Sequence, residues 1–155
     1  MADQTKQPTG TIEEQAKERS DIEKVAQNAE DVLLKVQSAF PFILFPDTIS
    51  VSRMKVAITR RSFFRVAEVI SIQHEDILNA EADVGPFFGS LKVYTRIYGS
   101  DPLKISYLSR DGTIRVKRLI EGFIIAHKQN IEYNNLSTEE LVELLNRLGS
   151  DAALT

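Results

Sequence analysis

The chain has 155 residues, a formal net charge of −3, 43% hydrophobic residues and no cysteine. A chain of this length buries one core of ordinary size, which excludes two full domains. The lack of cysteine excludes disulfide scaffolds, thiolate nucleophiles and cysteine-based zinc sites.

The N-terminal residues are polar and differ from an export signal. Residues 1–10 contain Pro8, Gly10 and few apolar side chains, so we expect a disordered leader there. A signal peptide needs a positive start and a continuous apolar stretch, and neither is present, which favours a cytoplasmic location. The longest apolar run, Ala39 to Pro46, is far too short for a transmembrane segment.

Residues 11–39 are predicted to form an N-terminal amphipathic helix. Thr11 and Glu14 have the spacing of a capping box. The apolar residues of the predicted stripe follow the a and d positions of a heptad: Ile22, Val25, Ala29, Val32, Val36 and Ala39. The stripe either packs on its own domain or joins copies of the chain, and Val32 and Val36 are the candidate interaction residues.

From Thr48 onward the hydrophobic period changes from 3.6 to 2, which predicts short strands. The predicted strands cover 48–52, 55–60, 66–73, 77–84 and 89–98, and a sixth strand starts at Leu103. Leu103, Ile105 and Tyr107 are expected on its inward face. The links are too short for crossover helices, so the strands are expected to be antiparallel.

Two helices are predicted after the strands. The first opens at Ser109 or Asp111, and a sheet is expected to cover its wide apolar face. This face contains Ile114, Leu119, Ile120, Phe123 and Ile124. The second begins at Ser137, which has the spacing of a capping box with Glu140, and Gly149 is expected to end it.

Three segments together resemble the bacterial pleckstrin-homology-like (PH-like) domains of the PH and GRAM superfold. They are FPDTISVSRMKVAITRR, HEDILNAEADVGPFFGSLKVYTR and RDGTIRVKRLIEGFIIA. The resemblance implies an α+β, mainly β fold over residues 40–131: a small antiparallel barrel or sandwich capped by a helix. The helix over 11–39 and a helix and tail in 132–155 would be additions to it. The tryptophan that is frequent in the family's closing helix is absent here.

A basic run occupies the first predicted hairpin. Its members are Arg53, Lys55, Arg60, Arg61 and Arg65, with no acidic residue among them. In lipid-binding PH domains a basic first hairpin holds phosphate groups, and guanidinium suits this through bidentate hydrogen bonds. These five residues are the candidate ligand-binding residues. The alternative is a solvated charge run that blunts a sheet edge.

The segment GPFFG places Phe87 and Phe88 between turn-forming residues. If they are exposed, they could anchor a partner or insert at a membrane interface. The alternative is that they fold back and fill the end of the barrel.

Basic and aromatic residues alternate at Lys92, Tyr94, Arg96, Tyr98 and Lys104. This composition is typical of nucleic-acid platforms, but the charge of the module is small and no RNA-binding motif is present, so no nucleic-acid partner is expected. His74 and His127 lack metal-ligand spacing. No catalytic residue, metal or cofactor is predicted.

The chain is therefore predicted to be a non-catalytic binding or adaptor module rather than an enzyme. Residues 40–131 carry 13 basic and 9 acidic side chains between two acidic ends. An acidic chain is repelled from anionic lipid on most faces, and amphipathic flanking helices suit protein grooves, which favours protein–protein interaction or self-assembly. The alternative is a peripheral module at the inner face of the membrane that binds anionic phospholipid headgroups through the first hairpin.

Overall fold

The computed structural model describes residues 31–41, 44–62 and 67–152. The strands are β1 (Val32–Gln37), β2 (Thr48–Ser52), β3 (Lys55–Arg61), β4 (Ala67–Gln73), β5 (Ile77–Val84), β6 (Phe88–Thr95) and β7 (Leu103–Ser109). The helices are α1 (Arg110–Lys128) and α2 (Thr138–Ala152), and a 3-10 turn over His74–Asp76 links β4 to β5. The predicted strands 48–52 and 77–84 are confirmed at both ends.

The fold is α+β and mainly β, with two antiparallel sheets. One sheet has the strand order β1-β2-β3-β4 and the other has the order β5-β6-β7. The sheets meet where Ser38 forms a bridge with Leu108, and Ala39 N donates to Tyr107 O at 2.8 Å. The described strands form these two sheets and do not continue into a closed barrel.

The predicted N-terminal helix is wrong where it overlaps the described residues. Val32–Gln37 form β1, which pairs with β2 so that Val36 lies opposite Ile49. β-branched residues fit a strand well, and the spacing of Val32 and Val36 suits one face of a helix or of a strand. The sheet therefore begins before residue 40. The rest of the predicted helix and the leader lie outside the described residues.

Helix α1 covers the core that the two sheets form. Ser109 Oγ accepts a hydrogen bond from Gly112 N at 3.2 Å, which confirms Ser109 as the helix start. Phe123, in the C-terminal half of the helix, is fully buried. Its ring stacks on His74 with centroids 3.7 Å apart and meets Tyr133 edge to face at 5.5 Å. The ring therefore joins α1 to the turn before β5 and to the loop before α2.

Helix α2 packs closely on α1 through two glycines. A Cβ atom on Gly122 would clash with the backbone of Leu145, and one on Gly149 would clash with the backbone of Arg118. The prediction that Gly149 ends α2 is wrong, because the helix continues to Ala152 and Gly149 permits this close approach. The capping box at Ser137 is confirmed, since Glu140 N donates to Ser137 Oγ at 3.3 Å.

Phe123→Ala should lower the free energy of unfolding by about 3–5 kcal/mol, because a large buried ring is replaced by a cavity. Phe87→Ala is the matched control, since Phe87 is 77% exposed and little packing is lost. Urea denaturation of both variants measures the difference. Equal effects of the two substitutions would contradict the position of Phe123 in the core.

Candidate functional site

A bulge in β7 turns Tyr107 outward. Between the paired positions Leu91–Ile105 and Gly89–Leu108, β7 has one residue more than β6. Tyr107 has φ 58°, a left-handed conformation that residues with a side chain rarely adopt. The prediction that Tyr107 faces inward is wrong, because the extra residue shifts the alternation and buries Leu108 instead. Strained backbone of this kind is common at functional surfaces.

The loop between β1 and β2 presents apolar side chains beside this bulge. Phe40 is 72% exposed and Leu44 is 71% exposed. The hydrogen bond from Ala39 N to Tyr107 O places Phe40 next to the end of β7. The sequence identifies this run only as too short to cross a membrane, so Phe40 and Leu44 were not predicted as site residues. Tyr107 was not predicted as one because it was expected to face inward.

The turn between β5 and β6 lies at the same end of β7. Arg110 holds it, since Arg110 N donates to Phe87 O at 3.1 Å and Arg110 Nη1 donates to Gly85 O at 2.9 Å. Phe87 is strongly exposed, whereas Phe88 is half-buried and pairs with Ser109. The two predicted interaction residues therefore differ in exposure, and only Phe87 presents most of its side chain to solvent. We call the exposed set Phe40, Leu44, Phe87 and Tyr107 the apolar rim.

The predicted basic run does not form one cluster. Lys55 and Arg60 lie near opposite ends of β3, about 17 Å apart at ~3.3 Å per residue. Arg60 and Arg61 lie at the end of β3 next to the β1–β2 loop, because Thr59 pairs with Thr48 at the start of β2. Arg60 Nη2 donates to Lys104 O on β7 at 3.3 Å. Arg61 is exposed, and Arg65 lies outside the described residues.

Arg53 is buried, with only 4% exposure, and its guanidinium is held inside the fold. Nη1 donates to Tyr133 O and Nη2 to Leu136 O, both at 3.1 Å, and the Asp31 carboxylate lies 3.9 Å from Nη2. These contacts tie the β2–β3 turn to the loop between α1 and α2. In this conformation a ligand cannot reach the guanidinium, so the prediction of a ligand-binding Arg53 does not fit its position.

The two valines predicted as interaction residues, Val32 and Val36, also differ in burial. Val32 is exposed on β1, the first strand of its sheet. Val36 is half-buried against the core, and its side chain lies so close to Gly112 that a Cβ there would clash. Val36 thus packs within the fold, and the two valines do not form a common contact stripe.

Acidic neighbours pair with part of the basic and aromatic face of β6. Lys92 Nζ lies 3.2 Å from the Asp83 carboxylate, and this hydrogen bond raises the pKa of Lys92. Tyr94 OH donates to Glu81 Oε2 at 3.1 Å. Both acidic residues lie on β5, so cross-strand pairs partly neutralise the positive charge of this face.

His74 is buried between the first sheet and α1. Its Nε2 lies 2.8 Å from Ser52 O, and since a carbonyl only accepts, Nε2 carries the proton. Nδ1 has no hydrogen-bond partner among the described residues. Burial lowers the pKa of His74 from 6.5 to about 4, which outweighs the opposing effect of the hydrogen bond to Ser52. His74 is thus held in its neutral form.

A cleft of about 450 Å³ opens beside His74, between the 3-10 turn and the C-terminal end of α1. Arg96, His127, Lys128 and Glu75 line it, and all four are exposed. The His127 Nε2 atom lies 3.8 Å from the Glu75 carboxylate. Exposed charges of this kind are well solvated, so this ion pair contributes little to stability.

Within 31–41, 44–62 and 67–152, no three His, Cys, Asp or Glu side chains are grouped as metal ligands. Neither of the helices in these ranges has the length and apolar character needed to cross a membrane. No protein-family model, curated protein or solved structure matches the chain.

Acid should destabilise the fold through His74. Between pH 6.5 and 4 the unfolded chain binds a proton that folded His74 does not bind, so stability is complete above 6.5 and falls toward 4. We expect a loss of about 2 kcal/mol in the free energy of unfolding between pH 7 and pH 5, measured by urea denaturation. His74→Gln should reduce this loss, whereas the exposed control His127→Gln should retain it. The same pH dependence in the His74 variant would contradict this account.

Proposed function

We propose that the chain is a non-catalytic, PH-like sandwich module that binds anionic membrane surfaces through its apolar rim. The PH-like assignment is supported by the element order, in which two antiparallel sheets are followed directly by helix α1 on the core. The observation that carries the functional proposal is the strong exposure of Phe40 and Leu44 on the β1–β2 loop. Apolar side chains on a loop are suited to insertion between lipid headgroups.

Basic side chains beside this loop support an anionic surface as the target. Arg60 and Arg61 lie at the sheet end that carries the β1–β2 loop. A guanidinium group binds phosphate oxygens through paired hydrogen bonds, and Arg61 is exposed. The segment 40–131 has an excess of basic residues, 13 against 9 acidic ones, although the whole chain is acidic.

The expected affinity requires both the apolar and the basic groups. Burying one Phe or Leu side chain contributes about 2 kcal/mol, and a basic residue near an anionic surface about 1 kcal/mol. A few such groups barely offset the entropy lost on association. Binding should therefore be reversible, require anionic lipid and weaken with salt, which screens charges beyond ~10 Å at 0.1 M.

The flanking helices no longer favour a protein partner over a membrane. Val36 packs within the sheet and core, and Leu141 and Leu145 of α2 are buried against the rest of the fold. Those apolar stripes were one of two reasons for preferring protein–protein interaction or self-assembly, and the other was the repulsion of an acidic chain from anionic lipid.

Self-assembly through β4 is a second candidate function. In the described part of the chain β4 pairs with β3 alone, and Val69 on β4 is well exposed. An unpaired strand edge can accept a strand from another chain.

Flotation of the full chain with lipid vesicles tests the membrane proposal. Binding is expected to vesicles that contain phosphatidylglycerol, not to pure phosphatidylcholine, and should weaken as salt is raised. Phe40→Ser with Leu44→Ser should abolish it, because the inserting side chains are lost. Arg60→Glu with Arg61→Glu should abolish it by removing the attraction to lipid phosphates.

Matched controls come from the opposite end of the first sheet. Met54 is 58% exposed and Lys55 is exposed, and both lie at the β2–β3 turn. Met54→Ser and Lys55→Glu should leave flotation unchanged, and thermal melting should show that all variants are folded. Equal losses in these controls, or binding to neutral vesicles, would contradict the proposal. Absence of flotation together with a mass that rises with concentration in light scattering would favour the β4 edge.

A further inference from the structure

The cleft beside His74 combines apolar side chains with charged ones. Three parts of the fold supply its described lining: the 3-10 turn with the start of β5, the residue that follows β6, and the last turns of α1. Its volume of about 450 Å³ lies in the usual range of small-molecule sites. The cleft therefore has the size and the mixed lining of a ligand site.

We propose that this cleft binds a small organic monocarboxylate, in which one carboxylate group is attached to a short apolar body. The inference goes beyond membrane binding and concerns a separate, dissolved ligand. No residue of the described lining belongs to the apolar rim or to the end of β3 that carries Arg60 and Arg61.

Contacts within the fold hold the walls of the cleft in place. Arg96 N donates to Asp76 O at 3.0 Å, which fixes the end of β6 against the 3-10 turn. On the other side, the ring of His74 stacks on Phe123, and His127 lies one turn further along α1 on the same helix face. A ligand therefore meets a preformed cleft, and binding requires little ordering of the backbone.

The charges that line the cleft favour a monoanion. Arg96 and Lys128 are positive and Glu75 is negative, which leaves a formal charge of +1 when the histidines are counted as neutral. A monocarboxylate balances this charge, whereas a phosphate dianion would leave an excess negative charge beside Glu75. The guanidinium of Arg96 is suited to hold both carboxylate oxygens through paired hydrogen bonds.

The apolar part of the lining favours a ligand with a hydrocarbon body. Ile77 is buried, Ile124 is half-buried and Leu78 is 50% exposed. An apolar group placed against these side chains removes their remaining surface from water, which is favourable in proportion to the area covered. An inorganic anion would gain nothing from these contacts.

The C-terminal end of α1 opposes an anion only weakly. Free carbonyl groups at the end of a helix carry partial negative charge, which repels a carboxylate. In α1 the carbonyl groups of residues 125–127 accept hydrogen bonds from the backbone N–H groups of residues 129–131, at 2.9–3.2 Å. These hydrogen bonds offset much of the negative charge that would otherwise face the cleft.

Glu75 competes with the proposed ligand for the same positive groups. Its carboxylate lies 3.8 Å from His127 Nε2, which is too far for a hydrogen bond, and its side chain is 61% exposed. The Glu75 carboxylate is therefore loosely held. Replacing it with the isosteric glutamine removes a negative charge from the cleft and should strengthen binding of the ligand.

An NMR titration of the isotope-labelled full chain with hexanoate, at constant ionic strength, tests the proposal. Saturable shifts are expected at the backbone amides of Leu78, Arg96 and Lys128. Hexanol and hexyl phosphate have the same hydrocarbon chain, but hexanol is neutral and hexyl phosphate is mostly a dianion at neutral pH. Each should bind at least about tenfold more weakly than hexanoate.

Three variants separate the contribution of the cleft from that of the overall charge. Arg96→Gln with Lys128→Gln should weaken hexanoate binding at least about tenfold, because charge-assisted hydrogen bonds are lost. Lys55→Gln with Lys104→Gln is the matched control, since both lysines are exposed, lie outside the cleft and remove the same total charge. It should leave the affinity within about twofold. Glu75→Gln should strengthen binding about threefold.

Thermal melting should show that all variants are folded. Shifts at the apolar rim in place of the cleft, or an equal loss of affinity in the matched control, would overturn the site. Equal binding of hexanol would show that only the hydrocarbon is recognised, and tighter binding of hexyl phosphate would overturn the monoanion class. Absence of saturable shifts with hexanoate would overturn the proposal as a whole.

Discussion

The buried guanidinium of Arg53 determines how the parts of this fold meet. It donates to carbonyl groups of the loop between α1 and α2 and lies near Asp31 at the entry to β1. A buried charge is costly unless its hydrogen bonds are satisfied, so the loop and the β2–β3 turn are constrained to stay together. These contacts tie the residue before β1 to the loop that precedes α2.

The residues around Arg53 pack together at one end of the first sheet. His74 accompanies Phe123 there, and the neutral imidazole donates to Ser52 O in the neighbouring strand. The opposite end of the first sheet carries the β1–β2 loop with exposed Phe40 and Leu44. The fold therefore separates a packed end from an end whose loop exposes apolar side chains. In our account the basic residues contribute to both ends, Arg53 to packing and Arg60 and Arg61 to binding.

Features that depend on local chemistry could be predicted from the sequence. The strand over 77–84, the helix start at Ser109 and the capping box at Ser137 follow from periodicity and from side chains that cap nearby backbone groups. The four-residue spacing of Val32 and Val36 fits one face of a helix or of a strand. Pairing with β2, which is a distant contact, makes this segment a strand.

Features that depend on distant contacts could not be predicted. The partner of Arg53 at Tyr133 is 80 residues away in the sequence, so nothing local distinguishes Arg53 from the other basic residues of its run. Tyr107 faces outward because of the register between β6 and β7, which alternation within β7 does not encode. Gly149 resembles a helix terminator in sequence. Its close approach to the backbone of Arg118, which leaves no room for a Cβ atom, explains why a glycine occupies this position within α2.

Hydrogen–deuterium exchange of the full chain, with and without phosphatidylglycerol vesicles, tests the division between the two ends most directly. Our account predicts that vesicles protect the backbone amides of the β1–β2 loop and of the turn at Phe87. Exchange at the β2–β3 turn around Met54 should be unchanged. Protection at the β2–β3 turn, with no change at the apolar rim, would contradict the central claim that membrane recognition occurs at the end opposite Arg53.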